Sequence, residues 1–329
     1  MSSSKIFITG TTGFIGSHVA GVALKAGHHV RLSIRKTEQQ SGLEKLFAPY
    51  LAQVEFVVVP DITNTDRLRE VLAGIDHVWH IASPLPGAGP DIRSDYVEPA
   101  VRGTIAVLEA AHTHKTVKKV VVMSSILSLT PMDVSYGQDL LVTGNTGDVI
   151  SVDLDMSFSD GFKGRFEKYH ASKILAHQAY RDWVKQHQPG FVTISLHPTF
   201  VAGPDLVQDK AEDIRGVNSL LWSALHSEQA SVPAVFVDVR DVAIAFIRAL
   251  EENIRTGSEY ILSTHPFTWQ DVVDFVKARY PALELKLAPP FNIFMAVDNK
   301  PAEHDLKMSW RPMETLVSSV IDQQLALRG

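Results

Sequence analysis

The sequence predicts an α/β fold, a doubly wound parallel sheet with a smaller, discontinuous C-terminal lobe. Three observations predict it. Strand-like and helix-like segments alternate through the first two thirds of the chain, the pattern of a parallel sheet covered by helices on both faces. The alternation opens on a strand, a glycine-rich turn and a helix, Lys5-Ile-Phe-Ile-Thr-Gly10-Thr-Thr-Gly13-Phe-Ile-Gly16. Beyond Gly203-Pro204 the alternation weakens.

The elements follow in order. Ile6 to Ile8 is an apolar run that reads as a buried strand, and Phe14, Ile15, Val19, Val22 and Ala23 carry the period of a helix that Ala26-Gly27 ends. His29 to Ile34 is a second strand, Gly42 to Leu51 helical, and Val54 to Val59 a third strand ending at Pro60-Asp61. Asp66 to Leu72 is a short helix and His77 to Ile81 a fourth strand, followed by the loop Ala82-Ser83-Pro84-Leu85-Pro86. Tyr96 to His112 is a long helix, and Lys119 to Met123 a fifth strand ending in Ser124-Ser125. Glycine and polar residues between Met132 and Gly161 predict a long surface excursion. Phe166 to His187 is a helix, and Phe191 to Leu196 the sixth strand, ending at His197-Pro198. Beyond it we expect a helix at Val217 to His226, a strand at Val235 to Val239 and a helix at Asp241 to Leu250. A short strand at Tyr260 to Leu262 and a helix from Thr268 to Arg279 come next, and after Ala288-Pro-Pro a last helix at Glu314 to Leu327. The expected division is 1–203 with 234–252 for the sheet domain, and 204–233 with 253–329 for the lobe over the carboxyl ends of the strands, where open α/β sheets bind ligands.

Bulk properties narrow the function classes. The 329 residues are 45% hydrophobic and 21% charged, with a net charge of −6 and both signs interspersed. No basic stripe points to nucleic acid and no basic amphipathic segment to a membrane surface. There is no cysteine, which excludes disulfides and thiolate chemistry. Apolar runs are of strand length, the N-terminus enters the first strand directly, and no Asn-x-Ser/Thr site occurs; a cytoplasmic protein is expected. No metal is expected: His77 and His80 point to opposite faces of a strand, and His112 and His114 do not converge on a helix. Hydrolase and NTPase motifs are absent.

The opening turn has the context of a dinucleotide (Rossmann) site. Glycine accepts φ > 0 and lets a phosphate approach the backbone, and the helix start offers free N–H groups and a positive dipole end. The residue ending the second strand meets the adenosine ribose, where an acid selects a 2′-hydroxyl and an arginine a 2′-phosphate. Here that strand ends in Arg35-Lys36 with no acid at its tip, so NADP(H) is expected over NAD(H). Asp61, ending the third strand, is placed either to touch adenine or to serve as a plain turn acid.

Tyr169 and Lys173 are four apart on a helix, hence on one face, and no other tyrosine has a lysine at that spacing. An ammonium beside a phenol stabilises the phenolate, so Tyr169 is expected to have a lowered pKa and to act as an acid–base group. Ser125, at the end of the fifth strand, could bond a substrate oxygen.

Thr9-Gly10-Thr-Thr-Gly13-Phe-Ile-Gly16, Ser125 and Tyr169-x-x-x-Lys173 together resemble the extended short-chain dehydrogenase/reductase family. Val78-Trp-His-Ile-Ala-Ser-Pro84, Val30-Arg31 with Arg35-Lys36, Pro198-x-x-Val201-x-Gly203-Pro204, Val237-Asp-Val-Arg-Asp-Val-Ala243 and Val297-Asp-Asn-Lys300 are similar to its dihydroflavonol reductase/cinnamoyl-CoA reductase branch. Within that branch the likeness is nearest to NADPH-dependent aldehyde, methylglyoxal and ketone reductases. The resemblance implies hydride transfer from NADPH to a small or medium, largely apolar carbonyl, with Tyr169 donating the proton, Ser125 holding the oxygen and Lys173 tuning Tyr169. It implies cofactor contacts from Thr9, Gly10, Thr12, Gly13, Phe14, Ile15 and Gly16 in the turn, and from Arg35 and Lys36 at the ribose. Further contacts would come from Asp61, Ile62, Ala82, Ser83 and Pro84, from Tyr169 and Lys173, and from Pro198, Thr199 and Val201. Leu85, Ile126, Thr130, Phe166 and Phe200 would face the substrate. The implied partner is a small molecule, with no nucleic acid or membrane, for a monomer or homodimer.

Two positions depart from the family: Arg102 and His197 stand where asparagine is usual. Two alternatives differ in class. One is a nucleotide-sugar epimerase or dehydratase of the same fold, of which the dehydratases carry an acid pair where Ile126-Leu127 stand; the other is a non-catalytic NADP(H) sensor, which would lack the Tyr169/Lys173 pair.

Overall fold

The computed structural model describes residues 3–83, 89–132 and 141–329. The N-terminal part runs β1 (Lys5–Ile8), α1 (Phe14–Lys25), β2 (His29–Ile34), α2 (Gln40–Leu46), β3 (Val54–Val58), α3 (Thr65–Val71), β4 (His77–His80), α4 (Glu98–His112) and β5 (Lys119–Met123). There follow β6 (Leu141–Val142), α5 (Gly161–His187), β7 (Val192–Pro198), β8 (Phe200–Ala202), α6 (Gly216–Leu225), β9 (Phe236–Asp238), α7 (Val239–Glu251) and β10 (Ser258–Leu262). The chain closes with α8 (Trp269–Arg279), β11 (Ala296–Val297), α9 (Lys300–Asp305) and α10 (Met313–Arg328).

Seven parallel strands form one sheet in the order β10-β7-β5-β4-β1-β2-β3. The strand order reverses beside β1, whose Ile8 pairs with Leu32 of β2 on one side and Trp79 of β4 on the other. A crevice opens there at the carboxyl ends. Both faces of the sheet are covered, which is why its strands read as nearly continuous apolar runs. The two-residue period of a strand sends Ile6 and Ile8 to the α1/α7 side, with Val19, Ala23, Val242 and Phe246. Phe7 goes to the other side, with Leu68, Val107 and Trp183 of α3, α4 and α5. A separate apolar cluster joins α6, α8 and α10 to β8 and β9 through Leu221, Val272, Leu316, Phe200 and Phe236.

The short elements β6, β8, β11 and α9 were not expected, and three expected elements differ. The helix expected over 42–51 stops at Leu46 and a 3₁₀ turn runs from Ala48 to Gln53, because Pro49 cannot continue the α-helical ladder. Helix α5 begins at Gly161, five residues early; it runs through Gly164, where a Cβ would come within 1.6 Å of the Ser159 carbonyl oxygen. The strand at 260–262, expected in the smaller lobe, is the edge strand β10 of the main sheet, with Tyr260 opposite Leu196. The excursion is fastened at several points. Leu141–Val142 pairs with Ala296–Val297, Gln178 donates to the Ile150 carbonyl at 2.7 Å, and Arg181 to that of Asp148 at 2.7 Å. No described helix is long and apolar enough to cross a membrane.

Candidate active site

The turn after β1 is built for close approach. Gly10 has φ +76, and a Cβ on it would lie 2.9 Å from the Ala82 backbone nitrogen. A Cβ on Gly16 would lie 2.0 Å from the Gly10 carbonyl oxygen, so α1 can start against the turn only with glycine there. Gly13 is the N-cap of α1 and no side chain caps it. The first N–H groups of Phe14, Ile15 and Gly16 therefore lack intrahelical partners, which suits an anion. Thr9 serves the frame. Its hydroxyl accepts from the backbone N–H groups of Ile81 and Ala82, both at 3.0 Å, and so donates its proton to His80 Nδ1 at 3.0 Å. This ties the ends of β1 and β4 together. Thr12, Phe14 and Ile15 are half-buried around the turn.

At the tip of β2, Arg35 and Lys36 are exposed and have no side-chain partner among the described residues. Their backbone N–H groups both donate to Gln39 Oε1, at 2.9 and 3.1 Å, which holds the turn. Arg31, in the same strand, is buried and structural, donating to the carbonyls of Val71 and Ala73. Asp61 is exposed and accepts from the Thr63 N–H and hydroxyl, each at 2.8 Å. These bonds hold its pKa below the ordinary value, and exposed Arg102 on α4 adds to the effect. Ile62 packs beside Gly103.

Lys173 stands beside Tyr169 on α5, and the turn that Ser125 caps at the end of β5 packs against Tyr169 through Ile126 and Leu127. Ser125 caps a 3₁₀ turn, Ile126–Leu129, and its Oγ accepts from the Leu127 N–H at 3.3 Å, which leaves the hydroxyl proton free. Lys173 Nζ lies 5.3 Å from the Tyr169 ring centre and donates to Ser83 Oγ at 2.8 Å. Burial pushes the Lys173 ammonium down to about 8. Burial also pushes the Tyr169 phenol up. The expected lowering of Tyr169 is therefore not found: the Lys173 ammonium bonds to Ser83, and burial disfavours the phenolate. Beside Lys173 lies a cavity of about 20 Å³ bordered by His80, Ser83, Ser124 and Tyr180, room for one water.

Tyr169 belongs to an apolar cluster with Ile126, Leu127, Val142, Phe166, Ile261, Met295 and Val297. Of the residues expected at the substrate, Ile126 and Phe166 are in it. Thr130 is 1% exposed and donates to the Ile126 carbonyl at 2.9 Å. Phe200 is buried against Phe236, ring centres 5.9 Å apart, in the other cluster. Both residues are committed to internal packing rather than to the Tyr169 cluster. Of the remaining expected contacts, Ala82 is half-buried, Pro198 is buried at the end of β7, Thr199 donates to the Leu262 carbonyl, and Val201 is in the core. Pro84 and Leu85 lie outside the described residues. Met295, Val297 and Val142 were missed. Val297 opens one of the motifs noted above, but only the β6–β11 pairing brings it to Tyr169.

A buried polar network lies behind this centre, also unforeseen. Glu259 on β10 accepts from His177 Nε2 at 3.0 Å, from Arg181 Nε and Nη2 at 2.5 and 2.7 Å, and from the Asn145 N–H at 2.9 Å. Burial raises the Glu259 pKa, but His177 and Arg181 outweigh it and hold the carboxyl well below its ordinary range. The His177 ring stands edge-on to His197, centres 4.5 Å apart. The ligand atoms of His177, His197 and Glu259 lie within 4.8 Å of one another. The Arg181 fork occupies the carboxylate and hydroxyl partners occupy both His197 nitrogens, so the group is chemically complete without a cation.

The model of the NAD dependent epimerase/dehydratase family matches residues 6–262. A ketoreductase of Aspergillus fumigatus is 39% identical over 99% of this chain and 98% of its own. A Candida albicans protein provisionally named NADPH-dependent methylglyoxal reductase is 30% identical over 87% of this chain and 86% of its own. The fold is similar to that of yeast methylglyoxal/isovaleraldehyde reductase complexed with NADPH, with a TM-score of 0.84 at 24% identity and 99% of both chains covered.

Proposed function

The chain belongs to the NAD dependent epimerase/dehydratase family, and from that premise we propose that it is an NADPH-dependent carbonyl reductase that turns ketones or aldehydes into alcohols. The observation that carries the reading is Lys173 beside Tyr169 in an apolar cluster that includes Ile126 and Leu127 of the turn capped by Ser125, with Lys173 bonded to Ser83, the neighbour of the Ala82 backbone against which Gly10 packs. The ketoreductase likeness over nearly the whole chain supports it.

Gly10, Gly16 and the uncapped start of α1 form a cradle that a Cβ would fill, which fits a pyrophosphate. Arg35 and Lys36 would meet a 2′-phosphate, and Lys173 with Ser83 the ribose beside the nicotinamide. Bound NADPH supplies the hydride. The residues of the chain handle the oxygen. The Ser125 hydroxyl donates to the carbonyl oxygen and Tyr169 transfers its phenolic proton to it as negative charge develops. The raised Tyr169 pKa suits this direction, because the phenol is protonated at neutral pH and an alkoxide is a stronger base than a phenolate. Lys173, facing the small polar cavity, restores the proton. Ile126, Phe166 and Met295 exclude water and select an apolar or aromatic substituent. We assign 204–233 and 263–329 to the lobe that covers the substrate, with β10 counted in the sheet.

The test mixes the protein with NADPH and a panel of aldehydes and ketones and follows the absorbance of the reduced cofactor against alcohol formed. Oxidation matched one-to-one by alcohol supports the reading. Tight NADPH binding without oxidation across the panel would favour the sensor.

A further inference from the structure

We infer that His197, through its Nδ1–H, is a positioning residue that fixes the Ser125 carbonyl and so aims the Ser125 hydroxyl into the site. The inference rests on the role proposed above for Ser125.

The argument counts protons. Ser124 Oγ donates to Ser128 Oγ at 3.0 Å, and Ser128 Oγ donates its own proton to the Ser125 carbonyl at 2.6 Å. With that proton committed, the 2.9 Å contact between Ser128 Oγ and His197 Nδ1 needs its donor on the imidazole. The same Nδ1–H reaches the Ser125 carbonyl at 3.2 Å. His197 Nε2 is then the acceptor for the Ser195 hydroxyl at 2.9 Å. Complete burial keeps the ring neutral, so one tautomer satisfies every contact.

The geometry is over-determined around one oxygen. The Ser125 carbonyl accepts from the Ser128 N–H at 3.0 Å, from the Ser128 hydroxyl and from His197. Ser125 itself is extended, with φ −159 and ψ 153, so a fixed carbonyl fixes the Cα–Cβ direction. The ring cannot swing away. His177 stands against its face and is itself held by Glu259 and Arg181. Removing the Nδ1–H would leave the carbonyl held by Ser128 alone, and small misplacements of a reacting partner carry large rate effects.

An asparagine amide nitrogen reaches the place of imidazole Nδ1, and a glutamine amide that of Nε2. The experiment therefore compares His197→Asn, His197→Gln and His197→Ala in the NADPH-loaded protein. It reads kcat, KM, NADPH affinity and hydrogen exchange at the Ser128 amide. We expect His197→Ala and His197→Gln to lower kcat by ~10–100-fold with KM and NADPH affinity within about twofold, and to speed exchange at Ser128. His197→Asn should keep kcat within about threefold of the parent, with exchange nearly unchanged. Asparagine as impaired as glutamine, or alanine with parental kcat and exchange, would overturn the inference. Should His197→Ala not fold, the Asn/Gln comparison decides. If the parent protein reduces no carbonyl, the proposed function falls, while the exchange pattern still decides whether His197 holds the turn.

Discussion

The Lys173 ammonium stands 5.3 Å from the centre of the Tyr169 ring and donates its hydrogen bond to Ser83 at 2.8 Å. The lysine of this pair carries an electrostatic burden of its own. Burial holds its pKa at about 8, below the ~10.4 of a free lysine. Between those values the unfolded chain binds more protons than the folded one, so stability rises with pH through the window; below about 8 the whole penalty is present. Lys173→Met should make the unliganded protein more stable at pH 7 by on the order of 1–3 kcal/mol, the advantage fading towards pH ~10.4. Denaturant unfolding of both proteins at several pH values checks this. An advantage that does not change with pH would contradict it.

Glu259 behaves in the opposite sense. Its carboxyl is held below the ordinary range, so its contribution is present above the unfolded value of ~4.3 and is lost as pH falls below that. Glu259→Gln removes the partner of Arg181, which keeps its charge, and leaves His177 and Asn145 with a weaker acceptor. We expect a loss of about 3–5 kcal/mol at pH 7, as for other broken buried pairs, shrinking in acid. Thermal or denaturant unfolding at pH 7 and pH 3 measures it; an equal loss at both would argue against the ion pair as the cause.

Arg35 tests cofactor choice. Arg35→Ala should weaken NADPH binding by ~10-fold or more, with little effect on NADH, the difference shrinking in high salt. Titration of both nucleotides at two ionic strengths reads this directly. Equal weakening of the two would mean that Arg35 does not meet the 2′-phosphate.

The parts of this molecule that a reader of the sequence can find are those with local signals. The strand–glycine–helix opening is legible because Gly10 and Gly16 answer backbone requirements that no other residue meets. Tyr169 and Lys173 are legible because one helical turn separates them. What escaped depends on distant pairing. His177 and Glu259 are 82 residues apart and nothing near either announces the other. β10 joins the sheet beside β7 after two intervening strands and two helices, so alternation alone misassigns it. Phe200 shares a strand with no catalytic residue and packs where β8 meets β9, a pairing with no mark in the sequence. The position of Lys173 beside Tyr169 can be read from spacing, whereas the burial that raises the phenol pKa depends on packing that spacing does not show.

The most direct measurement compares single-turnover reduction by the parent and Tyr169→Phe, each saturated with NADPH and a substrate identified from the carbonyl panel. The variant lacks only the phenolic oxygen and its proton. The account predicts unchanged NADPH affinity and a rate lower by at least ~100-fold, the usual share of a positioned general acid. A variant that binds NADPH normally and still forms alcohol at near the parental rate would contradict it, and would remove Tyr169 from the chemistry.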